Sequence, residues 1–239
     1  RLEVELSRLL CEIIPCAERA RFGKNGSDAT SAAVRIARAF TGKDKIICCG
    51  YHGWHDWYIA TTTMNKGIPE AVKKLTFTFK YNDINSLEDI FSRNKAEIAC
   101  VIMEPVGVIE PKPGFLEEVK KLTRRNKAVL IFDEVVTGFR FSLGGAQKYF
   151  KVTPDLACFG KAMANGFPIA ATVGKKKLMA LFEKVFCSFT FGGEIVSLAA
   201  ALATIREIKA RGVIRYIWEQ GRKIKDGYNV LAGELGLNN

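Results

Sequence analysis

The sequence has little of what would indicate a metalloprotein, a disulfide-rich protein or a membrane protein. It contains only two histidines, and its seven cysteines include no Cys-x-x-Cys pair. An odd number of cysteines in a chain of this length argues against a disulfide framework and favours free thiols in a reducing compartment. No apolar run reaches the roughly 18 residues that a membrane-spanning helix needs. We therefore expect a cytoplasmic protein with no membrane partner.

The two histidines lie close together, in a segment that is rich in aromatic residues. His52, His55 and Asp56 form a possible set of metal ligands. However, the helical His-Glu-x-x-His pattern of zinc enzymes is absent, and no further ligand cluster is visible. Because the segment follows a predicted strand, its aromatic rings could instead cover a flat ligand or simply pack the loop. We predict no metal and leave both roles of the rings open.

Acidic residues are scarce relative to basic ones. The chain has 36 Lys and Arg against 25 Asp and Glu, which gives a net charge of +11. Such a balance can indicate nucleic-acid binding. The lysines are dispersed, however, and only Lys175 to Lys177 form a short run. The pattern favours a solvated surface, leaves attraction of anionic substrates as an alternative, and predicts no nucleic-acid partner.

The order of apolar and amphipathic segments predicts the fold class. Hydrophobic residues make up 48% of the 239 residues, as in a globular protein with a sizeable core. Apolar runs alternate with helical patterns, which predicts an α/β fold with a mainly parallel seven-stranded sheet flanked by helices. The predicted strands are 45–49, 75–78, 98–103, 128–132, 156–159, 169–173 and 185–189, and the predicted helices between them are 28–40, 86–94, 114–125 and 146–150.

The end of the sequence differs from the rest. Two helices are predicted in succession, over residues 194–210 and from 213 to about 234, with Gly212 between them. We assign residues 1–212 to one large ligand-binding domain and residues 213–239 to a helix that leads toward a further domain. Because the first residue is Arg1 rather than Met, we expect the chain to be a fragment.

Polar side chains follow several predicted strands at the same edge of the sheet. Tyr51, Glu104, Asp133 and Lys161 each come at or just after a strand end. Because open α/β sheets bind ligands at the carboxyl ends of their strands, these side chains should meet in one crevice. Partial burial of Lys161 there would favour an amine that attacks an aldehyde. A carboxylate could hold a protonated ring nitrogen, although either acid alone could be a cap or a turn.

A possible anion site lies at residues 25–28. Gly26 allows the backbone to approach a ligand, and Ser27 or Asp28 can cap the helix that follows. The free N–H groups of its first turn would then bind an anion, while the alternative is a plain capped helix start. Two other segments are ambiguous. Arg140 could pair with a carboxylate or lie on the surface, and the turn around Thr190 could present a hydroxyl to a phosphate or be only a turn.

Together these motifs resemble the class III (ω-type) aminotransferases, pyridoxal-phosphate enzymes of fold type I. The motifs, in order, are Tyr51-His52-Gly53, Glu104-Pro105, Asp133-Glu134-Val135-x-Thr137-Gly138-Phe139-Arg140, Pro154-Asp155-x5-Lys161, Gly166-x-Pro168 and Thr190-x-Gly192-Gly193. The matching run extends from about residue 12 to 236, and a set of this length in this order is highly specific. Within the family, the chain is most similar to the branch that contains glutamate-1-semialdehyde 2,1-aminomutase.

The resemblance implies a role for each site residue. Lys161 would hold the cofactor as a Schiff base and then move a proton between substrate and cofactor. Asp133 would pair with the pyridine nitrogen, while Tyr51 and Val135 would cover the two faces of the ring. Thr190 would reach the phosphate of the neighbouring subunit's cofactor, which implies a homodimer. The implied cofactor-binding residues are Asn25, Gly26, Ser27, Tyr51, His52, Glu104, Asp133, Val135, Lys161 and Thr190, and the catalytic ones are Lys161, Asp133 and Tyr51.

The departures from the family pattern narrow the predicted reaction. The segment from Tyr51 to Tyr81 is shorter than in the aminomutase, where it holds a loop that retains the reaction intermediate. The N-terminal arm and C-terminal small domain of the family are also not found in the sequence. We therefore predict transfer of an amino group between an amine or amino acid and a keto or aldehyde acceptor. The alternatives are the intramolecular aminomutase reaction and an inactive fragment.

Overall fold

Seven strands form one sheet in the computed structural model, which describes residues 1–237. The strands are β1 (Arg19–Gly23), β2 (Lys45–Cys49), β3 (Thr76–Thr78), β4 (Ile98–Met103), β5 (Val129–Asp133), β6 (Leu156–Phe159) and β7 (Ala170–Gly174). Their order across the sheet is β1-β7-β6-β5-β4-β2-β3. Only β7 runs antiparallel to its neighbours, β1 and β6. The predicted α/β fold with a mainly parallel sheet is confirmed.

Ten helices of the described residues pack around this sheet or continue from it. They are α1 (Leu2–Ile13), α2 (Gly26–Thr41), α3 (Asp56–Ile59), α4 (Glu70–Lys73), α5 (Ile84–Arg93), α6 (Phe115–Arg125), α7 (Gly145–Tyr149), α8 (Lys176–Met179), α9 (Ile195–Arg211) and α10 (Val213–Glu234). Two short 3-10 helices, Lys161–Met163 and Ala180–Glu183, complete the set. None of these helices is long and apolar enough to span a membrane.

The core has two halves, one on each face of the sheet. Successive side chains of a strand point to opposite faces. Accordingly, Ile47 and Val101 belong to the half that packs against α1, α5, α6 and α9. Ile46 and Ile102 belong to the half under α2 and α8. Because both faces are covered by helices, the central strands are buried throughout, which explains why their sequences show no polar alternation.

One predicted strand is wrong, and another strand was not predicted. Residues 185–189 form an irregular segment outside the sheet, with the Phe186 side chain 82% exposed. The carbonyl groups of Phe186 and Cys187 accept hydrogen bonds from Arg35 and Arg21 rather than from a neighbouring strand. The seventh strand is instead β1, which pairs with β7. Its two arginines masked it in the sequence, because an edge strand needs to bury only part of its length.

The predicted helices are present with boundaries shifted by one or two residues. α1 was not predicted, although its apolar stripe, Leu6 and Leu10, is fully buried in the core. α10 follows α9 directly after Gly212, as expected, but none of its residues is buried. It is attached through Trp218, whose indole nitrogen donates to the carbonyl of Arg140 at 2.8 Å.

Candidate active site

A cavity of about 420 Å³ lies at the carboxyl edge of the sheet. The loops that follow β1, β2, β4, β5 and β6 all open into it, together with the segment that leads into β7. Nine of the ten predicted cofactor-binding residues line this cavity; the exception is Thr190. This location agrees with the rule that parallel sheets present their ligand sites where the strands end.

Asp133 and His52 form a buried pair on the cavity wall. His52 donates from Nδ1 to Asp133 Oδ2 at 2.8 Å, and the backbone N–H of Val135 donates to Oδ1 at 3.1 Å. The imidazole lies nearly parallel to the Trp57 indole and meets the edge of the Tyr58 ring. These contacts fix the orientation of the Asp133 carboxylate at the end of β5, because they restrict rotation of its side chain.

Glu104 is a second carboxylate on the wall, at the end of β4. Its Oε2 accepts the backbone N–H of Tyr51 at 2.9 Å. Burial raises the pKa of Glu104; the Tyr51 hydrogen bond opposes this effect and the nearby Asp133 carboxylate adds to it. Gly50 makes this contact possible, because a Cβ there would lie 2.5 Å from Glu104 Oε2. The Tyr51 side chain is 60% exposed toward the open side.

Lys161 lies where β6 gives way to a 3-10 turn. Its backbone has a φ of +42°, in the left-handed region that non-glycine residues rarely adopt. Such strain is concentrated at functional sites. The expected partial burial of Lys161 is wrong, because the side chain is exposed. The turn carries it past the end of the buried strand, to the mouth of the cavity.

The start of α2 forms the opposite end of the cavity. Asn25 is the N-cap, and its side-chain oxygen accepts a hydrogen bond from the backbone N–H of Asp28. The Asp28 carboxylate accepts one from the backbone N–H of Asn25 in return. The cap is therefore Asn25, not Ser27 or Asp28. Among the described residues, the N–H groups of Gly26 and Ser27 have no acceptor. They form the positive end of the helix, which attracts anions.

The loop after β2 is locked onto this helix start. Ser27 Oγ accepts the N–H of Trp54 at 3.2 Å. Gly53 has a φ of +99°, and a Cβ on it would lie only 2.2 Å from Ser27 Oγ. The glycine therefore lets the loop that carries Tyr51 and His52 approach the start of α2 closely.

Glu134, next to Asp133, is a structural anchor. It is fully buried and accepts hydrogen bonds from the Thr137 hydroxyl, the Ala146 N–H, and both the backbone and side chain of Gln147. Gln147 continues the network by accepting the N–H of Cys16 at 3.0 Å. This network ties the residues after β5 to α7 and to the segment after α1. Four donors satisfy the carboxylate, although burial raises its pKa.

Three other sequence hypotheses have clear structural outcomes. His55 does not share a ligand position with His52, because its Nδ1 contacts Ser31 Oγ at 2.6 Å. No group of three or more metal-binding side chains occurs within residues 1–237. Arg140 donates to the carbonyl of Val136 rather than to a carboxylate. Thr190 lies exposed in the turn before α9, outside the cavity lining.

Part of the cavity wall was not predicted from the sequence. Lys24 precedes the N-cap of α2, and its ammonium binds Glu194 and Ser197 at the start of α9. No sequence signal distinguished this lysine from the other surface lysines. Phe167 and Pro168 also line the cavity. The Gly166-x-Pro168 motif marked this segment, but its position opposite α2 depends on the antiparallel course of β7.

Comparison with known proteins gives a consistent result. Residues 2–234 match the family model described as aminotransferase class-III. The chain is 47% identical to a 3-aminobutyryl-CoA aminotransferase of Cloacimonas acidaminovorans, over 97% of the chain and 57% of that protein. It is 38% identical to a glutamate-1-semialdehyde 2,1-aminomutase of Methanocaldococcus jannaschii, over 96% of the chain and 60% of that protein.

A solved structure gives the same answer. The FumI protein of Sphingopyxis sp. MTA144, determined in its PLP internal aldimine form, superposes with a TM-score of 0.93 at 30% identity. The superposition covers 99% of this chain and 58% of FumI. The chain thus spans less than two thirds of the length of these relatives. On the family model and on these likenesses, the chain belongs to the class-III aminotransferases.

Proposed function

We propose that the chain binds pyridoxal phosphate in the cavity at the carboxyl edge of the sheet and transfers amino groups. The observation that carries the proposal is the convergence of three chemically different groups. The Lys161 amine, the fixed Asp133 carboxylate and the uncovered N–H groups at the start of α2 all face one cavity of about 420 Å³. An aldehyde, a ring nitrogen and a phosphate are the groups that such a set would bind.

The dimensions of the cavity support this cofactor. A Cβ at Gly26 would lie 3.2 Å from Val135 Cγ1, so glycine keeps open the gap between α2 and the loop after β5. Val135 and the loop that carries Tyr51 would hold the flat ring of the cofactor, and Gly26 and Ser27 would hold its phosphate. When bound, pyridoxal phosphate supplies an aldehyde that joins to amines and a ring that takes up electrons from the neighbouring carbon.

Each residue around the cavity would have its own role in the transfer of the amino group. Lys161 Nζ would attach the cofactor and would carry the proton that leaves and returns to the substrate carbon. Asp133 would hold a proton on the ring nitrogen, and His52 would keep that carboxylate in place. Glu104, beside Tyr51, would lie close to the substrate end of the cavity.

We propose that the substrates are an amine or amino acid as donor and a keto or aldehyde compound as acceptor. The relative named 3-aminobutyryl-CoA aminotransferase supports an intermolecular transfer. Because its named substrate carries the amine at the third carbon, the donor need not be an α-amino acid. The intramolecular reaction of the aminomutase is the second candidate, and the relatives with that name at 38% to 41% identity favour it.

Covalent trapping tests the cofactor site without requiring turnover. The purified protein, supplied with pyridoxal phosphate, is reduced with borohydride and digested for mass spectrometry. We expect one pyridoxyl adduct, on Lys161, and a visible absorbance band that the Lys161→Ala variant loses. Lys148→Ala changes an exposed lysine of α7 and serves as the matched control. An adduct spread over several lysines, or one that survives in Lys161→Ala, would contradict the proposal.

Product analysis then separates the two reactions. The amine-loaded form is incubated with glutamate-1-semialdehyde, and in parallel with 3-oxobutyryl-CoA. Intermolecular transfer predicts that the carbonyl compound gains the amine while the cofactor returns to its aldehyde form. Accumulation of 5-aminolevulinate, with the cofactor regenerated in its amine form, would favour the aminomutase.

We also propose that the protein is a homodimer in which Thr190 contacts the cofactor of the neighbouring subunit. The exposed position of Thr190, outside the cavity of its own chain, is compatible with this role. Sedimentation should give the mass of a dimer, and Thr190→Val should weaken retention of the cofactor. A monomer that holds the cofactor equally well with either residue would refute the proposal.

We also propose a cellular location and a domain boundary. We place the protein in the cytoplasm, because its seven cysteines are free, and five of them are buried as inert thiols suited to a reducing compartment. We keep Gly212 as the boundary of the cofactor-binding domain. The lack of any buried residue in α10 supports this boundary.

A further inference from the structure

A second concave site lies at the opposite edge of the sheet from Lys161. It is a hollow of about 500 Å³, formed where β5 and β6 begin and β7 ends. We name it the basic hollow, because five of its lining side chains are cations. They are Lys120, Arg124, Lys127, Lys175 and Lys177.

The positive charge of the basic hollow is largely uncompensated. Among the described residues, its only lining carboxylate is Asp155, which binds the Lys175 ammonium and accepts the N–H of Leu130 at 2.9 Å. Within residues 1–237, the other four cations have no carboxylate within 4 Å. An anion that entered the hollow would be attracted by these charges.

A neighbouring lysine adds to the crowding. Lys43 is partly buried beside the hollow, and its ammonium donates to the carbonyls of Asn126 and Lys127 at 3.1 Å each. Burial, followed by repulsion from Lys127, lowers the pKa of Lys43. Lys120 and Arg124 lie in α6, Lys127 lies two residues after that helix, and Lys175 and Lys177 lie at the start of α8. The cations therefore do not belong to a single helix face.

The shape of the hollow favours a small ligand over a polymer. Its volume falls within the range of small-molecule sites, and its lining cations come from separate segments of the chain. Phe40, 44% exposed, forms an apolar part of the wall, and the Lys177 ammonium lies 5.4 Å from its ring centre. Four unpaired cations around one hollow match a ligand with several negative charges in a short span.

We propose that the basic hollow binds a small polyphosphate, with two or more linked phosphate groups, at a site separate from the cofactor cavity. Lys120 and Arg124 would bind one end of the phosphate chain, and Lys127 and Lys177 the other. The ligand could be inorganic tripolyphosphate or the triphosphate of a nucleotide, which share this chemistry. The inference does not depend on the proposed aminotransferase function.

Calorimetric titration with inorganic tripolyphosphate tests the site. The titration is run both without and with pyridoxal phosphate, and binding in the basic hollow is expected in both cases. We expect saturable binding that weakens as salt is added. The double variant Lys120→Gln/Lys177→Gln should bind about five- to tenfold more weakly, as two exposed charge contacts are lost. The double variant Lys66→Gln/Lys74→Gln removes the same charge from exposed lysines outside the hollow and should bind as the unmodified protein does.

Further titrations distinguish a nucleotide from an inorganic polyphosphate and show which results would overturn the proposal. Tighter binding of ATP than of tripolyphosphate, with the difference lost in Phe40→Leu, would identify a nucleotide ligand. Equal binding would identify the phosphate chain itself. No saturable binding at physiological salt, or equal weakening in both double variants, would overturn the proposal. It would also be overturned if a short RNA duplex or phosphatidylserine vesicles displaced tripolyphosphate by binding more tightly.

Discussion

At the scale of single residues, the two carboxylates of the cavity at the carboxyl edge differ in their surroundings. Asp133 is fixed by His52 and by the N–H of Val135. Glu104 accepts one backbone N–H, from Tyr51, and burial raises its pKa. The strand-end position of both acids could be predicted from the sequence. Their partners could not, because His52 and Asp133 are 81 residues apart and meet only when β2 and β5 lie in one sheet.

The raised pKa of Glu104 predicts a pH dependence of stability. A carboxyl whose pKa is higher in the folded than in the unfolded state stabilises the fold at low pH. That contribution is lost as pH rises through the folded-state pKa. The free energy of unfolding should therefore fall from this source above about pH 4, the ordinary range of a glutamate. Glu104→Gln should flatten this part of the profile and leave the protein more stable near neutral pH.

Urea unfolding at a series of pH values, without cofactor, measures the effect. Glu118→Gln replaces an exposed carboxylate of α6 and is the matched control, which should leave the Glu104 contribution in place. If the unfolding free energy of Glu104→Gln ran parallel to that of the unmodified protein, Glu104 would not titrate as the structure indicates.

At the scale of elements, the cavity depends on how closely the loop after β2 approaches α2. Tyr51 and the helix start at residues 25–28 could be recognised as separate motifs. The contact between Gly53 and Ser27 could not, since it depends on the left-handed backbone of one residue and on the packing of another. The same limit explains the false strand at 185–189. Its residues are apolar enough for a strand, but β1 already occupies the free edge of β7.

Gly53→Ala should damage both the fold and the cavity. The new methyl group would meet Ser27, break the Trp54 hydrogen bond and push the loop away from α2. We expect a loss of about 2 to 4 kcal/mol in the free energy of unfolding, the sum of left-handed strain and overpacking, and weaker binding of pyridoxal phosphate.

Gly67→Ala is the control that separates the effect of backbone strain from that of the contact with Ser27. Gly67 has a φ of +91°, close to the +99° of Gly53, but a Cβ there meets nothing within 4 Å. This control should lose only about 1 to 2 kcal/mol and should retain its cofactor affinity. Equal losses in the two variants would show that backbone strain alone explains the effect, and that the Ser27 contact is unimportant.

At the scale of the whole molecule, the two ends of the strands carry side chains of different character. The carboxyl edge collects a lysine, two acids and a helix start, and the opposite edge collects unpaired cations. The net charge of +11 is a property of the sequence. Its local concentration is not, because Lys120 and Lys177 are separated by more than 50 positions in the chain. Dispersed lysines gave no reason to expect a basic site.

The α/β class, most of the strands, the family and most of the residues that line the cavity at the carboxyl edge could be predicted from the amino-acid sequence. These follow from local patterns: apolar runs that suit buried strands, and polar residues where those runs end. Four features could be seen only in the folded molecule: Asn25 caps α2, Lys161 is exposed at the cavity mouth, β1 pairs with β7, and, within residues 1–237, four cations at the opposite end of the sheet have no carboxylate partner. Each of these depends on contacts between distant segments, which no local pattern records.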